Sequence, residues 1–461
     1  MSAPFEELRE LAEAVREARG WARTGLEIVC RPSGAYGFTA FTDAVTSLRG
    51  RGGGFQAVLD SDHRLPEPGF TQEGGTAAPA GDPVLAVARF QEYLRRRADI
   101  LGRAETLPPP ASAAAIEETE HRIGHRLPED LRALYALADG DAHLYLFGGA
   151  SWLPLKSLAS VHTDLSVPYP PTWELARDRV VFDADPPETV RRCSGHPGWL
   201  PFGTGEDGNY LAVDLAPARD GRPGQVIRTG RDHDEGPARI ADSVTSLLGR
   251  YLELLDRGCY EKDDGHLFLD DPERPSGPET IVGEFPDTVP PDLQALHVND
   301  APGTVDLAPL TAAPRLRRLH LNRCATTDLA PLARQPVESL RVTLHGGGLT
   351  PLQGHHHLAS LDLATASPID IAPLRTAPNL RCLDLSHAEV HDLTVLADLH
   401  ELRYLSLTAH QWNTLFNAAE LPPALAAARL ADDHAPLSEA LAWAAHLGLD
   451  TTAALHTTGA L

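Results

Sequence analysis

The chain is poor in the residues that staple small or secreted folds. Five cysteines, Cys30, Cys193, Cys259, Cys324 and Cys382, are scattered over 461 residues. No two form a C-x-x-C pair, and the odd count and wide spacing suggest neither a disulfide framework nor a zinc site. Long apolar runs are missing too, since no stretch of about eighteen such residues occurs. The opening MSAPFEELRELAEAVREARG is charged and amphipathic, without the apolar centre of a signal peptide. The expected location is therefore a reducing cytoplasm, away from membranes. Positive charge is also scarce. Against 64 Asp and Glu stand 40 Lys and Arg, leaving a formal charge of −24. Phosphates would be repelled from most faces, which argues against direct binding of nucleic acid or anionic membranes. The acidic surplus suits solubility, or a basic protein partner.

Catalytic signatures are absent as well. His345-Gly346-Gly347-Gly348 imitates an oxyanion loop, but the chain has no G-x-S-x-G elbow to go with it. His355-His356-His357 lacks neighbouring Cys or carboxylate ligands and reads as a solvated loop before Leu358. His387 and His391 belong to H-A-E-V-H, which is not H-E-x-x-H, and they straddle a turn. Gly203, Gly205 and Gly208 match G-x-G-x-x-G. A dinucleotide site needs a helix after those glycines. Here NYLAVDL comes next, with Tyr210, Ala212 and Asp214 alternating with Leu211, Val213 and Leu215, which is a strand pattern. The glycines read as a turn between two strands. No catalytic residue, cofactor or metal is expected, and the chain reads as a binding protein, not an enzyme.

At this length roughly two to four domains are expected. Residues 1–103 read as a first α+β unit of no recognised family. It would hold an amphipathic helix through Phe5, Leu8, Leu11 and Val15, strands at Gly25–Cys30, AYGFTAF and FQAVLD, a loop over Leu65–Asp82, and a helix from Pro83 to Leu101. LPPPASAAA reads as a stiff linker or the lead-in to a helix. Residues 110–258 then read as helices, a strand at His143–Gly148, a Pro-rich excursion, strands around 200–228 and a closing helix at Ile240–Arg257. The stretch 259–292, acidic and Pro-rich, reads as a solvated linker.

Two parts of residues 110–258 carry a family likeness. In IEETEHRIGHRLPEDLRALYALADG, residues 116–140, the positions Ile116, Ile123, Leu127, Pro128, Leu131, Leu134, Tyr135 and Asp139-Gly140 match an opening helical pair. In WLPFGTGEDGNYLAVDLAPARDGRPGQVI, residues 199–227, the order is Trp-Leu-Pro, an acidic Gly-rich turn, a strand ending in Asp, then Gly-Gln-Val. Together they resemble the SMI1/KNR4 family of the SUKH superfamily. Asn209 stands where many members carry an acid. The resemblance implies an α+β domain that binds proteins. Bacterial members are associated with neutralising toxins, and yeast members with cell-wall synthesis and signalling. The residues it offers to a partner are Trp199, Glu206, Asp207, Asn209, Tyr210 and Asp214. Other readings stay open: acid–base chemistry or plain turn polarity for the carboxylates, and core packing for Trp199.

From Leu293 the chain repeats itself. L-x-x-L-x-L, with Val allowed, starts at Leu293, Leu316, Val337, Leu358, Leu380 and Leu402, at spacings of 23, 21, 21, 22 and 22 residues. Between these come DLAPL at 306–310, DLAPL at 328–332, LTPL at 349–352, DIAPL at 370–374 and DLTVL at 392–396. This resembles a leucine-rich repeat array of the short bacterial type over residues 293–415. Each unit cannot bury its leucines alone, so the units stack. The proline limits the convex side to an irregular or 3₁₀ turn. The ladder residue after the last leucine appears clearly only as Cys324; Ala301, Ala366 and Ala388 hold the equivalent places. Residues 416–461 read as a helical cap. Alternate strand positions place His297, Arg318, His320, Arg341, Asp362, Asp384 and Tyr404 on the concave face, basic first and acidic later, suited to a protein partner of complementary charge.

The expected whole is an α+β protein: a small α+β unit, a SUKH-like domain and a repeat solenoid. It would act as a monomer that binds a protein partner without catalysis. The leading expectation is an immunity-type role, neutralising a polymorphic or contact-dependent toxin with a basic domain. The alternative is a regulatory scaffold for endogenous partners.

Overall fold

The computed structural model describes residues 3–21, 24–41, 45–47, 53–165, 173–273, 277–432, 434–451 and 455–460. Helix and sheet are mixed, as expected. The chain divides into two compact units, one of Pro66–Pro170 with Val180–Glu279, the other of Met1–Leu65, Pro171–Arg179 and Thr280–Leu461.

The first unit is built on an antiparallel sheet in the order Ser151–Trp152, Trp199–Thr204, Asn209–Asp214, Gln225–Gly230 and Ala238–Ala241. Helices Pro83–Leu101, Glu129–Tyr135 and Val244–Asp256 share one core with it, through Phe90, Leu131, Trp152, Phe202 and Leu248. The helix starts are set by their caps. Asp82 accepts the amides of Val84 and Leu85, each at 2.9 Å, ahead of Pro83, and the Ser112 and Ser243 side chains cap the helices after them. A second, smaller cluster of Ala184, Val190, Cys193, Trp199, Ala212 and Ile227 covers the other face of the sheet.

The second unit carries parallel strands: Thr280–Gly283 first and then, at the repeat period, Ala295–Asn299, Arg318–Thr326, Ser339–Leu344, Ser360–Thr365, Cys382–His387, Tyr404–Leu407 and Ala427–Leu430. Register places Leu296, Leu319, Leu340, Leu361, Leu383 and Leu405 side by side, all buried. The return side is 3₁₀, at Ala308–Ala312, Ala330–Leu332, Thr350–Leu352, Ala372–Thr376 and Leu393–Asp398. The repeated aspartate has a local task. Asp306, Asp328, Asp370 and Asp392 each accept the amide two residues on, at 2.9, 2.8, 2.8 and 2.9 Å. Cys324 does fill a ladder place, its thiol donating to the Val298 carbonyl at 3.5 Å.

Four sequence expectations need correction. Residues 1–103 are not one unit. Phe55–Val58 pairs antiparallel with Ala427–Leu430 and so extends the repeat sheet, whereas Pro83–Leu101 buries Phe90 and Tyr93 in the other core. Residues 259–292 are not a solvated linker. Tyr260–Asp263 and His266–Leu269 form a hairpin whose Leu267 is fully buried, and Thr280–Gly283 opens the repeat sheet. The strand expected at His143–Gly148 is a series of turns, with positive φ at His143 and Tyr145. Residues 416–461 are not purely helical. Between the helices Ala409–Ala418 and Leu437–His446 lies the strand Ala427–Leu430, and Leu455–Ala460 pairs with Ala35–Phe41. Among the described residues no helix is long and apolar enough to cross a membrane.

Candidate functional site

The turn that joins Trp199–Thr204 to Asn209–Asp214 is the exposed acidic feature of the first unit. Gly208, at φ +91°, and Glu206, at φ +63°, take left-handed conformations that close it. Asn209 ties the two neighbouring carboxylates together. Its amide nitrogen donates to Asp207 at 3.0 Å and to Asp232 at 2.7 Å, and its carbonyl accepts the Asp232 amide at 2.9 Å. The Asn209 backbone amide also donates to Asp207, at 2.9 Å. These bonds hold the Asp207 and Asp232 carboxyls below their ordinary range, as charged acceptors. A third acid in place of Asn209 would meet two like charges. Glu206 lies 2.7 Å from His143 Nδ1, both well exposed. Tyr210 is half-buried beside them.

Trp199 and Asp214, expected at the same surface, are not there. They face each other across paired strands and are both fully buried. Asp214 accepts the Ala216 amide at 2.9 Å and the Gln225 side chain at 2.9 Å. Burial raises its carboxyl to about 7. A partner cannot reach either residue.

The outward face of the repeat sheet carries two rows. One reads Arg318, Ser339, Ser360, Cys382, Tyr404 and Ala427. The other reads His297, His320, Arg341, Asp362, Asp384, Ser406 and Arg429. The seven predicted residues therefore share a face, but Arg318 and Tyr404 stand in a different row from the rest. More important, Arg318, His320, Asp384 and Tyr404 are only 7, 6, 4 and 1% exposed. The expectation of an open charged surface is wrong at these positions; residues 173–179 lie over Asp384 and Tyr404, with His320 beside Arg177.

That segment, WELARDR, carries no motif or period that marks it in the sequence. Its aromatic, basic and acidic residues are the only signal it offers. Trp173 stacks on Tyr404, with centroids 6.2 Å apart, and on His63 at 5.8 Å. Arg177 donates to Asp384 at 2.9 Å and lies 5.7 Å over the Tyr404 ring. Asp178 accepts from Arg341 at 3.1 Å. Within the sheet, Arg341 also donates to Asp362 at 2.9 Å, and Arg429 lies 3.4 Å from Asp384. Burial is the largest single influence on the Asp384 carboxyl and works to raise it, but the Arg177 charge, the bonds from Ser386 and the Arg429 charge together outweigh it and hold the group low. Asp362 moves the other way, raised by burial and by the charge on Asp384. Burial and nearby arginines keep His320 neutral, with Nε2 2.9 Å from the Ser339 hydroxyl and its ring 4.9 Å from that of His297.

The histidine tract is partly structural. His355 is buried, accepts the Leu358 amide on Nδ1 at 3.0 Å, and places Nε2 3.3 Å from the Leu332 carbonyl, whereas His356 and His357 are exposed. Among the described residues no group of three or more His, Cys, Asp or Glu is placed to hold a metal.

Comparison with known proteins bears on the first unit. Residues 110–250 match the SMI1 / KNR4 family (SUKH-1). A KNR4/SMI1 homolog of Yarrowia lipolytica is 36% identical over 104 residues, which is 21% of this chain and 14% of that protein. The cell wall assembly regulator SMI1 of Saccharomyces cerevisiae is 32% identical over 101 residues, 20% of each chain. The cell wall biosynthesis/cell cycle regulator smi1 of Schizosaccharomyces pombe is 28% identical over 175 residues, 34% of each. The chain thus spans only 14%, 20% and 34% of the length of these relatives. An internalin of Listeria monocytogenes aligns with 25% of this chain and 35% of its own, at 24% identity and a TM-score of 0.23. Residues 110–250 are an SMI1/KNR4 domain, set in a larger α+β unit of the same chain.

Proposed function

We propose that this protein is a regulator that acts by binding another protein through its SMI1/KNR4 domain, without catalysis of its own. The observation that carries the reading is the acidic turn. Glu206 and Asp207 are exposed, on a hairpin already ordered by Asn209 and Asp232. A preformed turn loses little entropy on docking. Charged carboxylates at its tip suit a basic partner and speed its capture. The yeast relatives are regulators of cell-wall assembly and biosynthesis, which supports a regulatory role here.

The immunity-type form of this reading has the toxin's basic domain as the partner. The formal charge of −24 favours it. The scaffold form has an endogenous partner. We read the parallel strand array as leucine-rich repeats that add a second docking surface, and the protein as a cytoplasmic monomer. The test is affinity purification of the full chain beside a Glu206→Arg/Asp207→Arg variant. A stoichiometric partner held by the parent and lost by the variant is the expected result. A basic toxin domain would select the immunity form, and a cell-wall or housekeeping protein the scaffold. Equal recovery of every partner by both proteins would refute the assignment to the turn.

A further inference from the structure

The outward face of the repeat sheet already holds a ligand, and the ligand is a piece of the same chain. Trp173, Arg177 and Asp178 touch it through their side chains. Trp173–Ala176 is a single helical turn that adds no strand to the sheet. The fit is close: about 10 Å³ of space remains among Arg177, Asp178 and the strands beneath, roughly room for one water.

The contacts have a pattern. An aromatic ring meets Tyr404, an arginine four residues on meets Asp384, and an aspartate one further on meets Arg341. Release of the segment would orphan neither charge on the sheet. Asp384 keeps Arg429 and the Ser386 hydroxyl, the latter at 2.6 Å, and Arg341 keeps Asp362. The leucine core lies on the other side of the sheet and does not depend on the segment. Leaving a buried charge unpaired is what makes most such contacts hard to exchange, and here the partners that remain on the sheet lower that cost.

We propose that this face is a recognition groove for a peptide with an aromatic residue followed four and five positions later by arginine and aspartate, held closed in cis by residues 173–179 until such a peptide displaces them. The inference does not depend on what the SMI1/KNR4 domain binds. A tethered segment competes at an effective concentration on the order of millimolar. A free peptide binds only the open fraction of the groove, so its apparent affinity falls by that fraction.

The test uses the full chain and a labelled peptide with the sequence of residues 173–179, Trp-Glu-Leu-Ala-Arg-Asp-Arg. The Trp173→Ala/Arg177→Ala variant should bind it at least ~10-fold more tightly than the parent, because its own segment no longer competes. Adding Asp384→Asn should remove most of that gain. A peptide with Glu at the Arg177 position should bind poorly to either protein. Two further measurements guard against a variant that does not fold. Arg177→Asp combined with Asp384→Arg should restore the closed state and weak peptide binding. In the unaltered parent, millimolar peptide should speed hydrogen exchange of residues 173–179. Equal peptide affinity in parent and opened variant, binding indifferent to Asp384, or unchanged exchange would each overturn the proposal.

Discussion

Asp214 is a carboxyl shut away from water, and that makes it a source of pH dependence. Its folded value is raised to about 7 by burial, well above that of an exposed Asp. Between roughly pH 4 and 7 the folded chain therefore holds a proton that the unfolded chain has lost. Stability contributed at low pH is lost as pH rises through that window, by an amount on the order of 4 kcal/mol at most, and levels off above it. Asp214→Asn keeps an acceptor for the Ala216 amide or for Gln225 but cannot ionise. The urea midpoint of the parent should fall from pH 4.5 to 7.5 relative to that of the variant; parallel curves would show that Asp214 does not titrate there. The residue's position was legible, but its burial was not. Alternation of Tyr210, Ala212 and Asp214 with Leu211 and Val213 identifies a strand with one apolar face. It cannot show that a second cluster, around Val190, Cys193 and Trp199, closes over the polar-looking face. For the same reason Trp199 stayed undecided between anchor and core. Glu206 and Asp207 were placed correctly at the surface because turn glycines and acids announce themselves locally.

Elements with a strict period were the easiest to see. Leucines that recur every 21–23 residues give the parallel strands, and Asp-x-x-Pro-Leu gives the 3₁₀ returns, because each pattern is fixed by neighbours a few residues away. The hairpin of Tyr260–Asp263 and His266–Leu269 was hidden by its composition. Lys262, Asp263, Asp264 and the nearby prolines look solvated, and residues 261–265 at the hairpin's tip are exposed. One side chain decides its place. Leu267 is fully buried, and its carbonyl accepts from Arg97 at 2.9 Å, beside the buried Arg97–Glu105 pair. Leu267→Ala should cost ~2–5 kcal/mol, as leucine truncation in a packed core does. A solvated linker predicts almost no change, so a denaturant midpoint within error of the parent would reject the packed hairpin. The segment 173–179 was missed for a related reason. It is short, lies in a Pro-rich excursion, and its partners Asp384, Arg341 and Tyr404 are more than 160 residues away. No local period records such a match.

The family match ends at residues 110 and 250, but the physical unit does not. The helix Pro83–Leu101 lies outside the matched span, and it supplies Ala86, Phe90 and Tyr93 to the same core as Phe147, Trp152 and Tyr251. Phe90 lies 5.7 Å from Trp152, edge to face, and 6.5 Å from Phe147; Tyr93 donates to the Leu146 carbonyl at 3.1 Å. The proline-rich stretch after it, which reads as a stiff linker or a helix lead-in, does lead into the helix Ala113–Ile123 and is bonded to the domain on the way. The Pro109 carbonyl accepts the Asp139 amide at 3.0 Å, and the Ala111 amide donates to Tyr135 at 3.0 Å. Composition alone could not reveal this, because proline stiffens a linker and a packed strap equally well. A fragment of residues 110–250 would thus leave aromatic surface bare and the Leu146 carbonyl without its partner. Losing a buried aromatic costs ~3–5 kcal/mol by itself, a large share of the stability of a domain this size. A fragment of residues 66–279 keeps the helix, the strap and the hairpin. It should unfold in one cooperative urea transition, while the 110–250 fragment unfolds at lower urea with a shallower slope or aggregates. Matching midpoints and slopes for the two fragments would mean that the helix Pro83–Leu101 rests on the domain without stabilising it, and that the family boundary is also the folding boundary.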